Sequence, residues 1–175
     1  MKKKIVFLSL IIMMLVTELF ILTGCKSKKG GESAQPVDET LVKVNGVDLH
    51  FTKEASFKKL KYTIAGDLRE EKYPRYIQYS MYQEDQTTLL FFRIFYYEGR
   101  DNNFAIKDLG IGGDVTLTDG KTDNIEYKFY PYSQNDGGTM HLYFVNKDGN
   151  TYVLNFVSKY DIKDFEERVL NSVKF

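Results

Sequence analysis

Cys25 is the residue of this sequence best suited to covalent chemistry, because it is the chain's only cysteine and it closes an N-terminal segment of distinctive order. The segment opens with Lys2-Lys3-Lys4, is apolar from Ile5 to Leu22, and ends on the small residues Thr23-Gly24 before the cysteine. A positive start, an apolar middle and small residues at the end are the three parts of a secretory signal peptide. The order predicts that the chain is exported and cut beside Cys25.

The tetrapeptide Leu22-Thr23-Gly24-Cys25 resembles the lipobox of bacterial lipoproteins. In that family a diacylglycerol is attached to the cysteine thiol, and a peptidase cuts just before it. The resemblance implies that residues 1–24 are a lipoprotein signal peptide and that diacylglyceryl-Cys25 holds the mature chain to the lipid bilayer, on the outer face of the cell membrane. Two acyl chains are enough for stable attachment without a spanning helix.

Two other interpretations of the N-terminal segment are open. An uncleaved transmembrane helix is one, since Ile5 to Leu22 approaches the length that spans a bilayer. Glu18 counts against it, because a carboxylate inside the hydrocarbon region costs about 3 kcal/mol. An ordinary secretory signal is the other, but it would leave an odd thiol in an exported chain, for which lipidation supplies the reason.

Residues 25–40 are predicted to be the lipidated cysteine and a flexible tether, because residues 26–40 lack apolar periodicity and are rich in glycine, serine and charge. Residues 41–175 are predicted to form a single domain of ordinary size. With Cys25 acylated no disulfide can form, so burial alone must stabilise this domain. The 13 tyrosines and 13 phenylalanines provide the apolar area for it.

The charge balance excludes nucleic-acid binding as the expected role. After removal of residues 1–24 the chain carries 21 basic and 23 acidic residues. A protein that binds the phosphate backbone presents a clustered basic face. We therefore expect no nucleic-acid partner.

Metal and cofactor chemistry is not indicated. The two histidines, His50 and His141, are about ninety positions apart and lack cysteine or carboxylate neighbours at metal-ligand spacing, whereas a zinc site needs three or four ligands. The segment Gly110-Ile111-Gly112-Gly113 lacks the lysine and hydroxyl residue of a phosphate loop, and residues 119–124 lack the spacing of an EF-hand. We predict no metal and no cofactor, and we expect His141 to lie at a sheet surface or to bind a neighbouring side chain.

Catalytic constellations are not recognisable either. Acylation removes the free thiol of Cys25, and the Gly-x-Ser-x-Gly motif of nucleophilic serines does not occur. The adjacent carboxylates Glu70-Glu71 and Glu166-Glu167 lie in stretches expected to be solvated, which does not favour paired acid-base catalysis. The sequence predicts a protein that is not an enzyme.

Tyrosines recur in two strand-like regions, around residues 73–82 and 127–132. Tyr76 and Tyr82 share strand parity, whereas Tyr79 points the other way. Rigid amphipathic rings are favoured anchors at interfaces, although tyrosines also line sheets with the ring in the core and the hydroxyl at the rim. If there is a binding surface, the sequence places it at five residues: Arg75, Tyr76, Tyr82, Tyr130 and Tyr132.

The elements that position these residues are mostly strands. Asn45-Gly46 between two apolar runs predicts a hairpin over residues 41–49. Thr52 is a candidate N-cap, with Glu54 in the first turn, for a short helix that ends near Leu60. Longer strands are predicted over residues 76–82, 87–97, 124–132, 140–146 and 151–158, and a shorter one over residues 115–118.

The patterning of two segments defines the fold class. Residues 87–97 are apolar at both strand parities, so both faces of this strand should be covered, and Arg93 should find a carboxylate or reach the sheet edge. Residues 162–173 change to helical periodicity, with Glu166 and Glu167 expected on the exposed face. We predict an α+β fold: one antiparallel β-sheet of about six strands flanked by helices, in a single domain with a C-terminal helix.

Residues 150–175 resemble the end of PsbP-like domains, and residues 75–175 resemble such domains more loosely. Residues 151–158, Thr-Tyr-Val-Leu-Asn-Phe-Val-Ser, are followed by Asp164-Phe165-Glu166 and by the ending Asn171-Ser172-Val173-Lys174-Phe175. PsbP-like domains end in a Tyr-x-Leu-x-Phe strand, a helix containing Phe-Glu, and a terminal Ser-aliphatic-x-Phe. The resemblance implies a sheet between helices over residues 41–175, in a family of accessory and binding proteins rather than enzymes.

Three functions fit these observations. The first is a membrane-anchored extracytoplasmic lipoprotein acting as a non-catalytic binding or assembly module, with a protein partner at the cell surface. The second is an immunity lipoprotein that intercepts an exported toxin or bacteriocin. The third is a surface enzyme acting on cell-wall polymer, which would need a polar pocket containing an acid or base with a shifted pKa.

Overall fold

Three stretches of the chain, residues 40–83, 87–133 and 137–175, are described by the computed structural model. They lie in one unit, Val37–Phe175. The predicted signal peptide, Cys25 and all of the predicted tether except Thr40 lie outside the described residues.

The described residues contain ten strands and two helices, which form a three-stranded and a seven-stranded sheet. In chain order they are β1 Thr40–Val44, β2 Val47–Phe57, β3 Leu60–Ala65, β4 Arg69–Lys72, β5 Tyr76–Tyr82, β6 Thr88–Tyr97, α1 Asn102–Asp108, β7 Thr118–Lys121, β8 Glu126–Ser133, β9 Thr139–Lys147, β10 Asn150–Ser158 and α2 Lys163–Ser172. The strand orders are β1-β2-β3 and β4-β5-β6-β10-β9-β8-β7, and the neighbouring strands pair antiparallel.

The hairpin at the start of the domain is confirmed. β1 and β2 pair around Asn45 and Gly46, whose φ angles are 49° and 79°. Left-handed φ at both central residues is what a two-residue type I′ turn requires, and Asn-Gly adopts it at little cost. The local turn chemistry therefore decides this element.

The predicted helix from Thr52 to near Leu60 is wrong, because β2 continues through Thr52 to Phe57. Alternate side chains of β2 face the interior, and β3, which the sequence analysis did not identify, pairs with it along its second half. The backbone groups of β2 are thus bonded to a partner strand, and this pairing outweighs the capping signal at Thr52.

The seven-stranded sheet contains the five longer predicted strands, which are confirmed as β5, β6, β8, β9 and β10. The short strand predicted over residues 115–118 begins only at Thr118, as β7, and β4 was not predicted. β4 has the sequence Arg-Glu-Glu-Lys at one edge of the sheet, so it has no apolar alternation that could reveal it.

Both faces of β6 are covered, as expected. On one face, Phe92 stacks on Phe156 of β10 with ring centroids 4.5 Å apart, beneath β2, β3 and α2. On the other face, Phe95 and Tyr97 pack with Ala105 of α1, a helix that the sequence analysis missed. Asp101 is the N-cap of α1, and its side chain accepts a hydrogen bond from the Phe104 N–H at 2.9 Å.

The C-terminal helix is confirmed as α2. Phe165 is fully buried, and its ring centroid lies 5.4 Å from that of Phe51 and 6.0 Å from that of Phe156. Glu166, however, is buried rather than exposed, so the prediction for this residue is wrong; Glu167 is exposed as expected. Glu166 is next to Phe165 on the helix and shares the face that packs on β9, where side chains bind its carboxylate.

The domain is richer in β-structure than predicted. An antiparallel sheet, helices and a C-terminal helix were all expected, but the described residues form ten strands in two sheets rather than about six in one. None of the helices in these stretches is both long and apolar enough to span a membrane.

Candidate functional site

The side chains predicted as a binding surface lie on one face of the seven-stranded sheet, the face on which α1 packs; we call it the α1 face. Tyr76 and Tyr82 of β5 point to it, where the ring of Tyr76 contacts Phe95 and that of Tyr82 contacts Phe91. Tyr79 points to the opposite face and is fully buried. The predicted parity of these three tyrosines is therefore confirmed.

Tyr130 and Tyr132 reach the α1 face from β8. They pair across the sheet with Leu142 and Met140 of β9, and Tyr130 and Met140 both pack in the apolar cluster that contains α1. Since directly opposed residues of paired strands share a face, both tyrosines lie on the same side of the sheet as Tyr76 and Tyr82.

The five predicted residues surround the α1 face rather than forming one cluster. Four strand spacings separate β5 from β8, which corresponds to about 19 Å. Six residues of β5 separate Tyr76 from Tyr82, which corresponds to about 20 Å. Tyr82 and Tyr132, with 41% and 42% of their surface exposed, are distant from the end where Arg75 and Tyr76 lie.

Arg75 and Tyr76 belong to the end of the face that α1 covers. Arg75 Nη2 is 3.1 Å from Asp108 Oδ2, which also accepts a hydrogen bond of 3.1 Å from the Tyr97 hydroxyl. Burial is the largest cause that raises the pKa of Tyr97, and its hydrogen bond with Asp108 raises this pKa further. Tyr76 stacks on Tyr73 with ring centroids 4.3 Å apart. Arg75 is thus already paired with a carboxylate.

The centre of the α1 face is a polar row that crosses four adjacent strands. Glu71 of β4 pairs with Gln78 of β5, Gln78 with Arg93 of β6, and Arg93 with Asn155 of β10. Arg93 Nε donates to Gln78 Oε1 at 2.7 Å, and Gln78 Nε2 donates to Glu71 Oε2 at 3.2 Å. β6 is an interior strand, so Arg93 is not at an edge. Among the described residues it is linked to a carboxylate only through Gln78.

Two buried oxygen atoms of this region have no hydrogen-bond partner among the described residues. They are Asn155 Oδ1 and Ser80 Oγ, on residues that are 4% and 2% exposed. An unpaired buried polar group costs about 1–3 kcal/mol. The partly buried guanidinium of Arg93 lies 5.0 Å from the ring centroid of Phe91. The face thus carries a cation and exposed rings on its surface, above two buried oxygens without a partner among the described residues.

A second polar cluster lies on the opposite face, where β9 meets α2. His141 Nδ1 is 2.7 Å and 2.9 Å from the two carboxylate oxygens of Glu166, and the Tyr143 hydroxyl donates to Glu166 Oε2 at 2.8 Å. The hydrogen bond with Glu166 raises the pKa of His141, against the effect of its partial burial. Burial raises the pKa of Tyr143. His141 binds a neighbouring side chain, as expected, and the cluster ties the helix to the sheet.

A third polar cluster joins the two sheets. The hydroxyls of Tyr62 and Tyr79 share a hydrogen bond of 2.7 Å, and burial raises the pKa of Tyr62 to about 12. Burial would raise the pKa of Glu70, but hydrogen bonds from Lys53 and Lys72 lower it below its ordinary value. Glu70 is 2.5 Å from Lys53 and Glu71 is 2.7 Å from Arg69, so these carboxylates are ion-paired rather than simply solvated.

Metal ligation has no support in the described stretches, where His, Cys, Asp and Glu nowhere gather in a group of three suited to an ion. The side chain of His50 is exposed, and its backbone N–H donates to Asp67. Residues 119–121 are part of β7, and residues 122–125 form the turn of the hairpin between β7 and β8.

Sequence reasoning identified the aromatic rim of the α1 face but missed its polar centre. Gln78 and Asn155 occupy interior positions of strands that are mostly apolar on both sides. An amide side chain inside such a strand is the sequence feature that could have identified them. A polar side chain is buried at a cost, so it occurs in a core mainly where it has a hydrogen-bond partner or a role.

Comparisons with known proteins show no family. No protein-family model matches the chain, and no curated protein matches it. A crystal structure of a protein from Bacteroides thetaiotaomicron VPI-5482 is similar, with 17% sequence identity and a TM-score of 0.45 over 66% of this chain and 44% of that chain. The match spans less than half the length of that protein, and a similarity this weak carries no argument about function.

Proposed function

We propose that the chain is a membrane-anchored extracytoplasmic lipoprotein that works as a non-catalytic binding or assembly module for a protein partner at the cell surface, with the α1 face as its binding surface. The observation that carries the binding role is the concentration of exposed rings at this face. Six large apolar side chains are exposed among the described residues, and Tyr73, Tyr82, Phe104 and Tyr132 lie on or beside the α1 face.

The anchor is proposed from the N-terminal sequence. Three lysines, an apolar segment and Leu22-Thr23-Gly24-Cys25 together match the order of a lipoprotein signal. Diacylglycerol on Cys25 would hold the domain at the bilayer, and residues 26–40 would serve as a tether with a root-mean-square reach of about 20 Å.

The contents of the α1 face suit a protein partner. Tyrosine and arginine are enriched among residues that dominate protein–protein binding energy, since rigid rings contribute large contact area at low entropic cost. Rings separated by about 20 Å across a sheet fit a macromolecular surface better than a small molecule, which needs a concave pocket.

A non-catalytic role is supported by how the polar clusters are used. In the cluster of His141, Tyr143 and Glu166, both carboxylate oxygens are already bound by side chains of the same domain. Tyr62 and Tyr79 are likewise bonded to each other between the sheets. These groups stabilise contacts between elements, and a general acid or base needs instead to reach a substrate.

The anchor is tested by expressing the full chain and a Cys25→Ser variant in the native host with an alkyne fatty acid. We expect the wild type to be labelled and to partition into the detergent phase of Triton X-114. The Cys25→Ser variant should be unlabelled and retain its signal peptide. Equal labelling of both chains would contradict the proposed lipidation.

The binding surface is tested by chemical crosslinking in the native host, followed by capture through the C-terminus and mass spectrometry. The double variant Tyr82→Ala/Tyr132→Ala should lose the crosslinked partner, because it removes both exposed rings at the open end of the face. Leu41→Ala is the matched control, since Leu41 is 53% exposed but lies on β1 of the other sheet. A partner that both variants capture equally, or no partner at all, would overturn the assignment of this surface.

A further inference from the structure

We propose that Arg93 is the centre of this binding surface and that it recognises a carboxylate on an extended acidic peptide segment of the protein partner. The inference rests on the proposed binding role, and it adds the chemistry by which the partner is selected. It starts from a positive charge in the middle of a sheet face that no carboxylate of the described residues neutralises.

The carboxylate in the same row does not neutralise Arg93. Glu71 is engaged by Arg69 Nη2 at 2.7 Å and by Gln78 Nε2 at 3.2 Å. Arg93 forms no ion pair with a carboxylate of the described residues, and its bond to Gln78 Oε1 uses only Nε. The two terminal nitrogens have no hydrogen-bond partner among residues 40–83, 87–133 and 137–175, and we assign them to an external anion.

The surroundings of Arg93 favour a carboxylate as that anion. Gln78 holds Nε at 2.7 Å and Phe91 lies beside the guanidinium, so the orientation of the planar group is restricted before binding. The remaining fork of N–H donors matches the two oxygens of a carboxylate in a bidentate pair. An uncompensated arginine between exposed rings is thus complementary in charge and shape to an acidic side chain or a chain terminus.

A peptide main chain fits the rest of the surface. The distance of about 19 Å from β5 to β8 equals about six residues of extended chain. A segment that crosses the strands along the row of Arg93 would place its acidic residue at Arg93 and reach Tyr130 in the same row. Its flanking residues would extend toward Tyr82, four positions beyond Gln78 on β5.

The test uses a random dodecapeptide display library selected on the full lipidated chain in detergent micelles. Selected peptides are compared by fluorescence anisotropy with copies in which each Asp or Glu is replaced by Asn or Gln. The protein variants are Arg93→Gln, Arg93→Lys, which keeps the charge without the planar fork, Tyr82→Ala, and the control Leu41→Ala. Near-UV circular dichroism verifies that each variant is folded.

We expect acidic residues to be enriched in the selected peptides. Affinity should fall at least about tenfold for Arg93→Gln and for the amide copies of the peptide, which corresponds to losing a charge-assisted hydrogen bond. Arg93→Lys should lie between Arg93→Gln and the wild type. Peptides that need Tyr82 but bind Arg93→Gln within twofold of the wild type would overturn the role of Arg93 and leave the binding surface standing. Failure to select any peptide that depends on Tyr82 or Arg93 would overturn both.

Discussion

Replacing Glu166 with glutamine separates the contribution of charge from that of packing at the junction of α2 and β9. The side chain is 5% exposed, and its carboxylate contacts His141 Nδ1 at 2.7 Å and the Tyr143 hydroxyl at 2.8 Å. Glutamine has nearly the same shape and can still accept from Tyr143. The change removes only the negative charge that His141 faces.

The expected cost depends on pH in a defined direction. The hydrogen bond to Glu166 raises the pKa of folded His141 above its unfolded value of about 6.5. The stabilisation is therefore complete below about pH 6.5 and is lost as the pH rises through the pKa of the folded state. A hydrogen bond to a charged group contributes about 1.5–3 kcal/mol, and one between neutral groups about 0.5–1.5 kcal/mol. Glu166→Gln should thus cost about 1.5–3 kcal/mol at about pH 5.5 and about 1 kcal/mol or less at about pH 8.5.

Urea unfolding of the purified full chain at these two pH values measures the cost, from the shift in midpoint at constant slope. His50→Gln is the matched control, because the side chain of His50 is exposed and the variant should keep the pH dependence of the wild type. The reasoning is refuted if Glu166→Gln costs the same free energy at both pH values, since the charge on His141 would then contribute nothing.

Three further predictions concern packing. Phe165→Ala should lower the free energy of unfolding, measured by urea titration, by about 3–5 kcal/mol, because it removes a fully buried ring that contacts three others. A loss below about 1 kcal/mol would contradict this packing. Gly120→Ala should lower the midpoint of thermal unfolding and cost about 1–3 kcal/mol of folding free energy, because the added Cβ would overlap the ring of Tyr127. Gly112→Ala is the control: its Cβ would lie in open space, so the midpoint should not change. Asn155→Leu should leave the free energy of unfolding unchanged or raise it by about 1 kcal/mol, because it removes a buried oxygen that has no partner among the described residues. A clear loss of stability would show that the amide is hydrogen-bonded in the folded protein.

Comparison of the elements shows which sequence signals were sufficient. β5 was predicted at its observed bounds, and the turn of the Asn45-Gly46 hairpin and the strand residues beside it were predicted correctly, because alternation and turn chemistry are encoded within a few residues. β2 was mistaken for a helix beyond Thr52, since its partner strand β3 was not recognised. Pairing between segments is a tertiary property that overrides a local capping signal.

Some features of the candidate site also follow from local sequence, whereas others follow only from the tertiary structure. The shared face of Tyr76 and Tyr82 follows from strand parity, which the sequence contains. The surroundings of Arg93 do not follow from local sequence. The order of the strands places Gln78 and Asn155 beside Arg93, although they are 15 and 62 positions away from it along the chain. Glu166 was expected in solvent for a related reason: only the packing of α2 on β9 brings His141 and Tyr143 to its carboxylate.

Local sequence was sufficient to predict a site of lipidation, five of the seven strands of the larger sheet, the C-terminal helix and the aromatic character of one sheet face, because each depends on residues that are near one another in the chain. The tertiary structure alone decided that there are two sheets, that Glu166 is buried, and that Arg93 stands at the centre of the α1 face without a carboxylate partner among the described residues. These depend on which strands pair, and long-range pairing is set by the combined burial and hydrogen bonding of the whole domain rather than by any local pattern.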